Sequence, residues 1–147
     1  MNLDRVFAVV GSALDSQRQR LNIIASNLAN AESTRSPNGG PYIRRDVVLQ
    51  AVSPDNSFHS VFNGAFADQA GPAAVRVTDI IQDERPLRVV YEPDHPDADE
   101  KGYLHMPNVN PIEEMVNLMS ATRAYEANIA VMETGKTMTL RALEMGR

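Results

Sequence analysis

Nine prolines punctuate this chain, and all of them fall between residues 37 and 111. Proline locks φ, donates no amide hydrogen bond and breaks helix interiors. Residues 1–36 and 112–147 contain none. The chain therefore divides into two ends free to form long helices and a middle that is not.

The first end carries a 4-3 rhythm: Leu3, Phe7, Val10, Leu14, Gln17, Leu21, Ile24, Leu28 and Ala31. Gln17 alone is polar. This is the seam of a helix that packs along a partner helix. Asn2 suits the N-cap, Asp4 the positive end of the helix dipole, and Asn30 the end, where Asn tolerates a left-handed conformation. At 1.5 Å per residue such a helix is about 42 Å long. The second end opens on Asn110, Pro111 and Glu113, a cap, a first-turn proline and a capping-box acid. Met115, Leu118, Thr122, Tyr125, Ile129 and Met132 then form one stripe, continued by Leu140 and Leu143 after a slip near Gly135 and Lys136. This predicts a helix of about 52 Å. Two such helices are expected to pair antiparallel. A pair alone buries only part of two broad stripes and leaves apolar surface for other subunits. The same stripes would equally fill the core of an ordinary small helical bundle.

The middle reads as strands and turns. Residues 36–41 are a dense turn cluster, Ser-Pro-Asn-Gly-Gly-Pro. Tyr42 to Val52 holds a β-branched run; Val75 and Val77 alternate with Arg76 and Thr78; Leu87, Val89 and Tyr91 alternate with Arg88, Val90 and Glu92. Residues 53–74 are small and polar, with Phe58, Phe62 and Phe66 as anchors of a mobile loop. The expected fold class is α+β: long N- and C-terminal α-helices packed as an antiparallel coiled-coil-like pair, with a small β-rich middle region. The expected domains are a discontinuous helical core, 1–36 plus 108–147, and a β-rich outer region, 37–107.

Charge is as unevenly spread as proline. The net charge of −5 equals that of residues 79–101 alone, with eight acidic and three basic groups. No basic patch suits nucleic acid, no run of about 18 apolar residues suits a membrane span, and the N-terminal apolar run ends too early for a cleavable signal peptide. With no cysteine, disulfides, thiolate metal sites and cysteine nucleophiles are excluded. Residues 92–100, Glu-Pro-Asp-His-Pro-Asp-Ala-Asp-Glu, offer five carboxylates and one imidazole to a hard cation. They lack EF-hand spacing and its glycine, so a solvated acidic turn is the expectation. His59, His95 and His105 are scattered, and Gly39-Gly40 precedes Pro41, not a helix start. No catalytic residue, cofactor, metal or small-molecule substrate is expected.

Two stretches carry a more specific signal. Residues 17–31, Gln-Arg-Gln-Arg-Leu-Asn-Ile-Ile-Ala-Ser-Asn-Leu-Ala-Asn-Ala, resemble the N-terminal signature of bacterial flagellar rod and hook proteins. Residues 108–116, Asn-Val-Asn-Pro-Ile-Glu-Glu-Met-Val, followed by Arg-Ala-Tyr-Glu-Ala-Asn at 123–128, resemble its C-terminal counterpart. The shortness of the chain, Gly39-Gly40-Pro41-Tyr42-Ile43-Arg44-Arg45 and the stretch from Val90 to Tyr103 narrow the resemblance to the proximal rod branch. Ile43 is an extra residue relative to a tighter Pro-Tyr-Arg-Arg pattern.

The resemblance implies a structural subunit that leaves the cytoplasm through the flagellar type III apparatus without a cleaved signal. It implies polymerisation with itself and other rod proteins in the periplasmic part of the basal body. Membrane-ring or export-gate adaptors and the surrounding ring proteins are further partners it suggests. The expected assembly interface is Leu3, Phe7, Val10, Leu14, Leu21, Ile24 and Leu28 on the first helix and Met115, Leu118, Tyr125, Ile129 and Met132 on the second. The acidic stretch is a candidate contact for basic groups on neighbouring subunits, with Asp97 and Asp99 as its test positions. The competing expectation is a soluble helical adaptor or export chaperone that uses the same seams.

Overall fold

A computed structural model describes residues 3–37, 39–52 and 74–145, apart from the side chains of Leu3 and Asp4. The proposed Asn2 cap, the Asp4 and Leu3 side chains and the three phenylalanines of the middle loop lie outside the described residues. The elements are α1 (Leu3–Ala29), β1 (Arg45–Val52), β2 (Ala74–Gln82), β3 (Arg88–Tyr91), β4 (Tyr103–Met106) and α2 (Pro111–Met145). The chain is α+β, with two long terminal helices around a small stranded middle. β1 hydrogen-bonds to β2 in one two-stranded sheet and β3 to β4 in another.

The described residues group into two compact units. One is drawn from residues 1–19, 49–78 and 122–147, the other from 20–48 and 79–121. Each takes in part of both helices and part of the middle.

In the first unit the early turns of α1 hold the start of β2. Ser12 Oγ donates to Val9 O at 2.7 Å and accepts from Val75 N at 3.0 Å, and the buried Ser16 hydroxyl lies 3.2 Å from Val75 O. Both polar groups of an edge-strand residue are thus satisfied by helix serines. Val10 is buried here. Gln17 Oε1, the polar exception in the seam, is buried with no hydrogen-bond partner among the described residues. Late in α2, Gly135 faces Phe7: a Cβ there would lie 3.4 Å from the phenyl ring, in ordinary van der Waals contact. The helix passes straight through Gly135 and Lys136 to Met145. The hydroxyls of Thr134, Thr137 and Thr139 bond back to carbonyls four residues earlier.

In the second unit α1 ends and α2 begins. Asn30 ends α1 with its side-chain amide on Ser26 O at 2.8 Å. The expected left-handed residue is absent: no described non-glycine residue has a positive φ. Asn110 caps α2 by accepting from Ile112 N at 3.1 Å, and Glu113 reaches Arg85 at 3.3 Å. Ala31, Tyr42 and Val109 form a small buried cluster. β3 and β4 pair antiparallel with Val90 opposite Leu104 and Tyr91 opposite Tyr103. Leu104 is buried and Val90 half-buried, whereas Val89 and Tyr91 face out. The exposed face of this strand is therefore the one the alternation pattern assigned inward. Tyr91 and Tyr103 meet edge to face on it, with ring centres 5.4 Å apart.

Helix pairing is visible in each unit, Phe7 with Gly135 in one and Asn27 with Glu114 in the other. Rising numbers on α1 meet falling numbers on α2, the antiparallel arrangement expected of the helical ends.

Candidate functional site

Glu114 is the least expected residue of the second unit. It lies in the first turn of α2, a helix start that favours acids, yet it has no exposed surface. A buried carboxylate costs several kcal/mol unless it is paired and hydrogen-bonded. Glu114 is both. Arg44 Nε donates to its Oε1 at 2.9 Å, and Asn27 Nδ2 donates to its Oε2 at 3.0 Å.

Asn27, also without exposed surface, uses its full bonding capacity. Its amide also donates to Arg45 O at 2.8 Å, and its oxygen accepts from Tyr42 OH at 2.9 Å and Arg45 N at 3.0 Å. Arg44 reaches Asp46 at 3.1 Å and Asp83 at 3.3 Å as well. Burial opposes its charge, and the bonds and attractions of Glu114 and Asp46 outweigh this, so its pKa rises above the ordinary arginine value. Asn108 accepts from Arg44 N at 2.8 Å and donates to Asp83 O and Arg85 O. Arg85 holds the Asp83 carboxyl below the usual carboxylate range. The chemistry of the cluster is mechanical: it ties the end of α1, the start of α2 and the strand between them.

The rotation of α2 follows from this cluster. With Glu114 and Ala121 inward at 0% exposed, Ile112, Met115, Val116 and Met119 face solvent, Ile112 at 73% and Met119 at 55%. Four apolar residues at i, i+3, i+4 and i+7 form one continuous stripe. Farther along, in the other unit, Val131, Met138, Leu140, Leu143 and Met145 are exposed too.

The expected interface residues sort into three groups. Val10 and Ile24 are buried inside the chain; Phe7, Leu14, Leu21, Leu28, Leu118, Tyr125 and Ile129 are half-buried; Met115 and Met132 are exposed. Glu114 and Ala121, which the stripe reading left out, are the fully covered positions of α2. Asn27, Arg44, Asn108 and Glu114 were quoted only as parts of motifs, and nothing in their spacing shows that they meet.

Two of the five carboxylates of the acidic stretch, Asp97 and Asp99, are bonded within the chain. Asp97 accepts from Thr34 Oγ1 at 2.8 Å and pairs with Arg35, and Asp99 Oδ1 accepts from the amides of Lys101 and Tyr103 at 2.9 and 2.8 Å. The Thr34 bond, with Arg35, holds the Asp97 carboxyl below its ordinary value. These two residues organise the β3–β4 connection, so charge reversal at them perturbs the hairpin before any neighbour. Glu92, Asp94, Asp99 and Glu100 are exposed, and Asp97 is half-buried. Among the described residues, no group of three or more His, Asp or Glu side chains is placed to hold a metal ion, and no helix is long and apolar enough to cross a membrane.

Comparison with known proteins places the cluster in a family context. A family profile described as "Flagella basal body rod protein" matches residues 7–35, which contain Asn27. Another, "Flagellar basal body rod FlgEFG protein C-terminal", matches residues 100–145, which contain Asn108 and Glu114. The flagellar basal-body rod protein FlgC of Escherichia coli is 45% identical over 147 residues, covering 100% of both chains. The protein of that name from Salmonella typhimurium is 43% identical over the same span, and that from Bacillus subtilis 42% identical over 144 residues, 95% of each chain. By these full-length relatives and by both terminal matches, the chain belongs to the FlgC family of flagellar basal-body rod proteins.

Proposed function

We propose that this chain is a structural subunit of the proximal rod, polymerising through its terminal helices into the helical drive shaft that crosses the periplasm and transmits torque. The observation that carries the reading is the outward apolar face of α2, with Ile112, Met115, Val116 and Met119 in water while Glu114 is fully covered. A helix that turns its apolar side outward invites a neighbour. A contact between two different faces that does not close on itself generates a helical polymer.

In this reading residues 1–36 and 108–147 form the rod core, and 37–107 form the outer part. Val10 and Ile24 hold the chain's own helix pair. Met115 and Met132, with Ile112, Val116 and Met119, meet neighbouring subunits, and Leu3, Phe7, Leu14, Leu21, Leu28, Leu118, Tyr125 and Ile129 are further candidate contacts. The partners are further copies and other rod proteins, reached by type III export without a cleaved signal. The role is mechanical and not catalytic. An adaptor or chaperone would use the same stripe on a partner helix; the full-length relatives, which are rod proteins, favour the subunit reading.

The test is complementation of cells lacking the gene. Met119→Lys adds a charge to the stripe while leaving stability within about 0.5 kcal/mol, as for most exposed positions. Loss of swimming with the protein still exported is expected; rods and swimming at the parent level would contradict the reading.

A further inference from the structure

The first three turns of α2 are apolar on most sides, so hydrophobicity alone does not choose which side faces inward. Ile112, Met115, Val116, Leu118, Met119 and Ala121 are all apolar, and any of several rotations would bury a comparable set. The observed rotation is one that leaves four large apolar side chains exposed and covers a glutamate instead. At 100° per residue the exposed stripe is centred about 150° around the helix from Glu114, and Ala121 lies within about 20° of it. The stripe is thus almost diametrically opposite the carboxylate.

Only one rotation satisfies Glu114. Its two oxygens meet Arg44 Nε and Asn27 Nδ2 on two separate elements, and Arg44 and Asn27 are themselves fixed by Asp46, Asp83, Tyr42 and the Arg45 backbone. A turn of one residue would strand a buried charge on either side. Buried polar groups are best attested as devices that select one register among near-equal apolar ones. We infer that Glu114, held by Arg44 and Asn27, is a rotational key for α2 that determines which side chains the helix presents to a neighbouring subunit. Glu114 is a positioning residue in this role, acting through the stripe and touching no partner itself.

This inference rests on the reading that the stripe is covered by another subunit, and its test does not depend on that. The chain has no cysteine, so single reporters can be introduced at Met119→Cys, on the stripe, and Ala121→Cys, on the covered side. Each is placed in the otherwise unaltered full chain, in Glu114→Leu, and in Arg44→Met/Glu114→Leu, where neither charge is stranded and folding is kept. Thiol labelling rates are measured alongside helicity. With Glu114 present, position 119 should react at least about tenfold faster than position 121, because local protection separates the two. Without the key the ratio should fall to within about threefold at unchanged helicity, as other rotations become populated. A purely stabilising role would raise both rates together and leave their ratio unchanged. That outcome, or equal rates with Glu114 present, would overturn the inference. Assembly of Met119→Lys rods would undo the functional reading while leaving the labelling ratio as it was.

Discussion

Removing Arg44 should be among the most damaging side-chain truncations in the chain, and removing Glu114 with it should repair most of the damage. The Arg44 side chain is 11% exposed and its partner Glu114 0%. In Arg44→Met the carboxylate stays buried with Asn27 Nδ2 as its remaining side-chain donor. Breaking a buried pair in this way costs about 3–5 kcal/mol. Asp46 and Asp83 lose a partner as well, but Asp46 is half exposed and Asp83 keeps Arg85, so they add little. With a urea dependence of about 1–3 kcal/mol per molar, the midpoint should drop by roughly 1–3 M. In Arg44→Met/Glu114→Leu no charge is stranded, though one buried Asn27 N–H loses its acceptor, and stability should return to within about 1–2 kcal/mol of the parent. The assay is urea unfolding followed by far-ultraviolet circular dichroism at neutral pH, closed as a double-mutant cycle. A loss below about 1 kcal/mol in the single variant, or a double variant that loses the sum of both singles, would refute the argument that Glu114 depends on Arg44.

Three further outcomes follow from the same structure. Asp83 and Asp97 have depressed folded-state pKa values, so they stabilise the fold above the ordinary carboxylate value and lose that contribution as pH falls through the folded one. Urea midpoints should therefore fall below about pH 4, and less steeply in Asp83→Asn/Asp97→Asn; identical acid profiles would contradict this. Gly102→Ala should cost about 1–3 kcal/mol, because Gly102 has φ +79° and a Cβ would meet Tyr91 Cε2 at 3.0 Å; an unchanged thermal midpoint would remove the claim of strain. Gln17→Leu should gain about 1–2 kcal/mol in urea unfolding by replacing an orphaned buried oxygen in the seam, and a loss of stability would mean that the oxygen is satisfied.

What could be read from sequence is what repeats. The proline-free ends become α1 and α2, and Val10 and Ile24, two positions of the 4-3 rhythm, are buried within the chain. On α2 the stripe from Met115 to Met132 takes in half-buried Leu118, Tyr125 and Ile129 and exposed Met115 and Met132, and it leaves out Glu114 and Ala121, which are fully covered. The reason is physical: the fully covered positions are a glutamate and an alanine, whose value lies in bonding and in smallness, and apolar counting passes over both. β4 was missed because it has four residues and buries one of them fully, Leu104, against Val90. The polar cluster has no period at all. Arg44 and Glu114 are 70 residues apart and Asn27 and Glu114 are 87 apart, so only the fold brings them together. The acidic stretch was legible as a charge excess, but not the use of Asp97 and Asp99 to fasten their own hairpin.

The apolar face that α2 turns outward is expected to be covered by a neighbouring rod subunit. An electron cryomicroscopy map of basal bodies purified from cells that carry this chain tests it most directly. The account predicts density for the chain in the proximal rod, its terminal helices side by side with those of neighbours, and Ile112, Met115, Val116 and Met119 buried against another subunit. A rod in which that stripe faces solvent, or one from which the chain is absent, would contradict it.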